Sequence, residues 1–404
     1  MQTTGERFPA VDFERFHTER LHELLASALP STARAASASC AHHPLCLRTP
    51  SVAGYTYRCD DGSIEVTAGA DADATVVSMS DEDWSNLIHE LRSVPGLFFG
   101  ECLTVERGDP GVLFRWEAPL RALFHGRPIY DADSALPRDA AGALLDLTRS
   151  FTLDDADPAI SEFFDGAGFA VIRGVFDEAE LATLRAAADE VSAAATPGDR
   201  RSWWARRPDG QQALCRVTYA NETSQHIAAL SADPRVKRLG ALAGPGPVDA
   251  ADRMDGHSVI IKHTQVTEGL ADLPWHIDCG MGGHSVQCPI VQLSIFLEPG
   301  NRESGTLSVI PGSHRFVIPP PTPDVENDLP VVDIEASAGD CVVHLSDTMH
   351  AAKHPTAEGP GRRSIVISFF QPALLDIVGP GEAYNDVLLS ADDGHVGGPE
   401  GLPG

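Results

Sequence analysis

The sequence predicts two folded units of different class: an α+β unit over residues 1–130 and a mainly β unit with flanking helices over 158–378. Three observations carry this. The front third mixes apolar residues at helical spacing with short alternating runs. Alternating or apolar runs bounded by turn residues recur at 258–263, 290–297, before His350 and at 365–370, and read as strands of a sheet. Between the units, 131–157 is rich in Pro, Asp and Ala and reads as a linker with some order, while 379–404 is rich in Gly, Asp and Pro and reads as a flexible tail.

In the front unit, Phe13, Phe16, Leu21, Leu24 and Leu25 place an amphipathic helix over Val11 to Leu29. Ser31 to Ser51 reads as loop. Tyr55–Arg58 and Ser63–Thr67 alternate about an Asp-Asp-Gly turn, a hairpin signal. Ala74–Met79 is a third strand. Ser80 precedes Asp83 by three residues and opens a helix carrying Trp84, Leu87, Ile88 and Leu91. Leu97–Asp109 and Val112–Trp116 read as further strands, followed by a short helix near Leu120. In the linker, 140–147 reads as a short helical run.

In the second unit, Phe169–Val175 is a strand and Asp177 caps a helix bearing Leu181, Leu184, Ala188 and Val191. Thr196 to Gly210 reads as a loop in which Trp203 and Trp204 stand among arginines. Those indoles either cover an apolar substrate as a lid or dock on the body. Arg201, Arg206 and Arg207 offer a receptor for an anionic group.

Composition limits partners. With 30 basic against 58 acidic residues the formal charge is -28, which disfavours nucleic acid and anionic membrane surfaces. No basic stretch followed by an apolar run opens the chain, and no window is long and apolar enough to span a bilayer. Eight scattered cysteines suit reduced thiols in a cytoplasmic protein. Cys40, His42, His43 and Cys46 invite a zinc reading but lack a second ligand pair at finger-like spacing.

The chemistry concentrates between Leu273 and Gln371. On a strand, His276 and Asp278 project to one face. His350 follows a second strand about seventy residues later. Two imidazoles and one carboxylate on a metal leave positions open, the pattern of a non-haem Fe(II) oxygenase. Arg362-Arg363-Ser364 then opens the strand Ile365–Phe370, where an arginine can grip a carboxylate through two parallel hydrogen bonds. Arg362 shares a strand face with Ser364, and Arg363 is its adjacent rival. Lys262, His263, His284, His344 and His354 also lie near these residues, and His314 sits in a turn where a structural role is expected.

From about Ala159 to Pro372 the chain resembles the phytanoyl-CoA dioxygenase family. The likeness rests on Phe163–Val175, Pro274-Trp275-His276-Ile277-Asp278, Gly305–Arg315, Gly339-Asp340 leading to His350, and Arg362-x-Ser364. It implies a double-stranded β-helix of the jelly-roll, cupin-like kind, with Fe(II) held by His276, Asp278 and His350. It further implies 2-oxoglutarate as cosubstrate, its distal carboxylate on Arg362 and Ser364, with Gln292 lining its pocket, and dioxygen as oxidant. The expected products are a hydroxylated substrate, succinate and CO2; desaturation or ring closure remain open. Halogenating relatives carry a small residue where Asp278 stands, so halogenation is not expected. Asp73–Trp84 and Phe99–Asp109 resemble the lipid-binding domain of the sterol carrier protein family, which implies an apolar tunnel. Phe98, Phe99, Trp84 and Trp116 either line that tunnel or fill a core, and the front unit is alternatively a dimerisation or docking module. Together these imply an apolar small-molecule substrate: a lipid, terpenoid, steroid or other secondary metabolite. The alternative is a lipid-binding, lipid-transfer or scaffold protein with an accessory or inactive oxygenase domain.

Overall fold

Phe13, Phe16 and Leu21 are buried on one side of a helical run that begins as Phe13–Arg15, widens to a π turn at Phe16–Arg20 and continues as Leu21–Ser27. This is the start of a computed structural model that describes residues 8–60, 62–131, 135–253, 255–264, 266, 273–278, 290–319, 328–356 and 361–372. The tail from Gly379 and His284 lie outside the described residues. The front unit is α+β as expected. Its sheet contains β1 (Leu45–Arg48), β2 (Tyr55–Asp60), β3 (Ser63–Ala68), β4 (Thr75–Met79) and β5 (Leu103–Arg107), in the order β3-β2-β1-β4-β5. The expected hairpin is β2–β3, and β1 runs parallel to β4.

Three sequence readings here need correction. Ser31–Ser51 is not loop: Pro30–Cys40 is a helix with Pro at its N-terminus, and Leu45–Arg48 is the central strand. Alanine-rich composition favours helix over the turn signals of Ser and Pro, and a strand buried between two others loses the alternation that would betray it. Val112–Trp116 is not a strand but the start of the helix Pro110–His125, where Asp109 accepts a hydrogen bond from the Gly111 amide. Its buried Val112, Leu113, Trp116, Leu120 and Leu123 follow the helical period. The stretch from Leu97 likewise begins as the helix Val94–Phe99, capped by Ser93. Trp84 and Trp116 are fully buried in a core with Phe13, Phe16 and Phe124.

In the linker, residues 140–147 form no helix. Asp139 instead accepts hydrogen bonds from the amides of Ala141 and Ala143, and Arg138 bridges Leu144, a local side-chain alternative to helix that Asp offers.

The second unit is mainly β with two sheets. The larger contains β6 (Phe169–Ile172), β7 (Ser202–Arg206), β8 (Gln212–Val217), β9 (Val248–Asp249), β10 (Ser258–Ile261), β12 (Val291–Phe296), β15 (Cys341–Leu345) and β17 (Arg363–Phe370), ordered β6-β15-β12-β17-β10-β8-β7 with β9 beside β17. The smaller is β11 (Leu273–His276), β16 (His350–Ala352), β13 (Leu307–Val309) and β14 (Val332–Ile334), in that order. Flanking helices Asp157–Ala167 and Glu178–Ala194 pack on the larger sheet; the second has a full capping box between Asp177 and Glu180. The expected loop at 196–210 contains β7, which forms a hairpin with β8 across the Asp209-Gly210 turn. Tryptophan's preference for strands outweighed the turn residues that flank it.

The two units share a seam. Ala118 and Ala122 pack on Val317, and the Val317 amide and carbonyl bond Pro128 and Tyr130 of the linker. Beside this seam Arg121 is buried on Glu90, itself 1% exposed, at 2.9 Å. Breaking a buried pair strands one charge in a poorly solvating interior. Glu90→Ala is therefore expected to lower stability by about 3–5 kcal/mol, read as a fall in the urea midpoint at constant slope; an unchanged midpoint would show that Glu117, 4.0 Å from Arg121, takes over the pairing.

Candidate metal centre

Antiparallel pairing of β11 with β16 sets His276 opposite His350, their ring centroids 4.2 Å apart. Asp278, two residues beyond His276, shares its face, and the Asp278 amide donates to the Ser346 carbonyl at 3.0 Å. The Nε2 atoms of both histidines lie 3.5 Å from Asp278 Oδ1. Among the described residues, these three side chains converge as a group of metal-type donors, their ligand atoms all within 4.8 Å of one another. Cys40 and Cys46 assemble no such group: the Cys40 thiol donates to the Arg115 carbonyl, and Cys46 is buried in the sheet.

The tautomers suit a metal. His276 Nδ1 is 2.7 Å from the Pro274 carbonyl and His350 Nδ1 is 2.8 Å from the Thr348 carbonyl. A carbonyl can only accept, so each Nδ1 carries the proton and each Nε2 presents its lone pair toward Asp278. Burial and the neighbouring His350 hold the His276 pKa down. Burial works against charge on His350 too, yet Asp278 outweighs it and leaves His350 raised. Burial would push the Asp278 carboxyl up, but the two imidazoles hold it well below the usual carboxylate range. The centre thus sets one ionised carboxylate between the Nε2 atoms of two imidazoles, a donor set that fits Fe(II).

Strand parity separates the two arginines. Arg362 is buried, with Nε donating to the Gly305 carbonyl at 2.5 Å and Nη1 lying 3.4 Å from Ser364 Oγ, while its guanidinium sits over the Phe296 ring. Burial alone lowers its pKa to about 10. Arg363 points to the other side and pairs with Glu298 and Asp189. Gln292 is on the inner row between His344 of β15 and Ser368 of β17, and accepts from Ser368 Oγ at 2.7 Å.

The other polar residues take structural positions. Lys262 Nζ donates to the Ala352 carbonyl at 2.7 Å, tying the larger sheet to β16, and His263 bonds the Leu214 carbonyl. His314 contacts the Asp165 carbonyl and His354 is exposed. Trp203 is 3% exposed beneath the Arg216 guanidinium; Trp204 is half-buried and donates to Ser202 Oγ. Arg201 stacks on Tyr219 and Arg207 meets His263. His344 was named from the sequence only as a neighbour. It is buried with its ring 4.5 Å from that of His350, and the shared parity of Val342 and His344 was the signal available.

Residues 164–364 match the family model described as phytanoyl-CoA dioxygenase (PhyH). The interval contains the three converging donors, Gln292, His344 and Arg362. This family comprises non-haem Fe(II)/2-oxoglutarate-dependent oxygenases, and the match assigns Fe(II) and 2-oxoglutarate to this part of the chain. No curated protein matches. Among solved structures, AviO1 from Streptomyces viridochromogenes Tue57 is 25% identical, over 54% of this chain and 96% of that one, with a TM-score of 0.44. The non-heme alpha ketoglutarate dependent epimerase SnoN from nogalamycin biosynthesis is 22% identical, over 53% and 84%, with a TM-score of 0.42. EctD from S. alaskensis, solved with 2-oxoglutarate and 5-hydroxyectoine, is 20% identical, over 59% and 83%, with a TM-score of 0.45.

The contrast between the arginines is measurable. Arg363→Ala removes a partly buried pair with Glu298 and a more exposed one with Asp189, and is expected to cost about 1 kcal/mol of stability while leaving any carboxylate binding at Arg362 intact. Calorimetric titration of Arg363→Ala with 2-oxoglutarate in the presence of a divalent metal checks this. A lost binding isotherm in the folded variant would assign the anchor to Arg363.

Proposed function

We propose that the second unit is an Fe(II)/2-oxoglutarate-dependent oxygenase that hydroxylates an apolar small molecule. The observation that carries the reading is the convergence of His276 Nε2, His350 Nε2 and Asp278 Oδ1, with both imidazoles fixed in the metal-binding tautomer. Fe(II), when bound with 2-oxoglutarate, supplies the oxidising power for R–H + O2 + 2-oxoglutarate → R–OH + succinate + CO2.

The roles of the chain's own residues follow from their positions. His276, Asp278 and His350 occupy one side of the metal and leave the other for small ligands. Arg362 receives the distal carboxylate of 2-oxoglutarate through its free N–H groups, and Ser364 beside it fixes the plane of the guanidinium. Gln292, held by Ser368, presents an amide to the same chamber. The apolar walls of the two sheets exclude water, which keeps the oxidation coupled to substrate. An aliphatic or polycyclic substrate is supported by the resemblance of Asp73–Trp84 and Phe99–Asp109 to lipid carriers and by half-buried Trp204 on β7, the edge strand of the larger sheet. Trp203, packed under Arg216, would act as that wall's backing rather than as a lid. Among the described residues no helix is long and apolar enough to cross a membrane.

Anaerobic titration of the apoprotein with Fe(II) and 2-oxoglutarate tests the reading. A visible metal-to-ligand charge-transfer band is expected in the wild type and in Arg363→Ala. It is expected to vanish at matched concentrations in Arg362→Ala, and His276→Ala or Asp278→Ala should bind no iron while remaining folded. A folded wild type that takes up iron and shows no band with 2-oxoglutarate would sink the proposal in favour of a binding or scaffold role.

A further inference from the structure

Among the described residues, two buried polar atoms at the metal centre have no hydrogen-bond partner, and they face each other. Asp278 Oδ2 and His344 Nε2 both lack a hydrogen bond, and they lie 3.8 Å apart. His344 Nδ1 is unpartnered as well. Unsatisfied polar atoms at such depth oppose folding, so their retention within reach of one another calls for a function.

The geometry is asymmetric. Asp278 Oδ1 lies toward the Nε2 atoms of His276 and His350, whereas Oδ2 lies toward His344. A metal held by the first three atoms therefore leaves Oδ2 outside its coordination shell, on the His344 side. At 3.8 Å the contact is too long for a hydrogen bond, and a closure of about 1 Å brings it into the normal range. His344 is free to supply the proton. His276 and His350 each commit Nδ1–H to a backbone carbonyl, but no carbonyl holds Nδ1 of His344, so the tautomer with hydrogen on Nε2 is available. His344 is itself buried. Across the sheet it is flanked by Phe169 and Gln292, neither of them ionisable.

Resting on the oxygenase reading above, we propose that His344 is a positioning residue whose Nε2–H donates to Asp278 Oδ2 in the metal-loaded centre. The bond fixes the carboxylate as a one-oxygen ligand. An unrestrained carboxylate could rotate and bind through both oxygens, closing a position that bidentate 2-oxoglutarate requires. Outer hydrogen bonds of this kind are worth about 10–100-fold in metal affinity.

The test uses Co(II), whose visible bands report coordination number, on the full chain without oxygen or turnover. In His344→Phe the expected result is a ten- to hundredfold loss of Co(II) affinity, with the apoprotein's melting temperature retained. The cobalt spectrum should also change toward higher coordination, and 2-oxoglutarate should bind more weakly. His344→Gln, whose amide N–H can donate but whose nitrogen does not ligate, should recover most of the affinity and the wild-type spectrum. If His344→Phe does not fold, His344→Leu takes its place in the comparison with His344→Gln. Wild-type affinity and spectrum in the apolar variant would overturn the proposal. Equal losses in the Gln and apolar variants would also overturn it, and would make His344 a direct ligand. A wild type that binds neither Co(II) nor Fe(II) would overturn the oxygenase reading itself, and this proposal with it.

Discussion

The register between β11 and β16 is the constraint on which the site depends. With His276 opposite His350 the two Nε2 atoms meet one carboxylate oxygen. A slip of one residue would turn His350 to the other face and destroy the donor set. Several bonds oppose that slip. The Asp278 amide is held by the Ser346 carbonyl, the Met349 amide by Ser313 Oγ, and the Ile310 amide by the Met349 carbonyl. Lys262 reaches across from the larger sheet to the Ala352 carbonyl. Each of these bonds lies within a few residues of a metal-donor side chain, so the architecture spends its polar contacts on holding register where chemistry needs it.

That network extends to the front unit. Ser313, which fixes the Met349 amide, belongs to the turn that leads into Val317, and Val317 is where Ala118, Ala122 and the linker pack. The Arg121–Glu90 pair lies beside the same seam. The front unit is therefore built onto the segment that supports His350 rather than hung from a loose tether. Whatever it binds, its packing bears on the metal centre through a short, contiguous set of contacts.

How much of this was legible in the sequence depends on whether the signal was local. The pairing of His276 with Asp278 and of Arg362 with Ser364 is readable from a period of two; in the structure each pair stays together, although β11 ends at His276 and β17 begins at Arg363, so Asp278 and Arg362 lie just off the strand ends. Sheet partners for these strands were not readable, since which strand faces which depends on contacts distant in sequence. The front unit shows the opposite failure. Val112, Leu113 and Trp116 read as strand because a short apolar run has no decisive period, until Pro110, Asp109 and the continuation to Leu123 are weighed together. Leu45–Arg48 was hidden because a central strand is apolar on both faces. His344 was visible as a residue but not as a participant: its importance lies in having no partner, which only the folded chain reveals.

The contrast between Arg362 and Arg363 shows why absence of a partner carries meaning. Adjacent in sequence, they have opposite environments. Arg363 is neutralised by Glu298 and Asp189, as expected in a chain with 58 acidic residues. Arg362 is buried, and among the described residues its hydrogen-bond partners, the Gly305 carbonyl and Ser364 Oγ, are both neutral. A buried cation without a counter-ion opposes folding, and the lowered pKa of Arg362 is the same penalty expressed in proton affinity. In so acidic a protein a compensating carboxylate would have been easy to place. Its absence among the described residues is what the proposed 2-oxoglutarate anchor requires: the ligand's distal carboxylate would bring the charge that completes the arginine, and binding would relieve the cost of leaving it uncompensated.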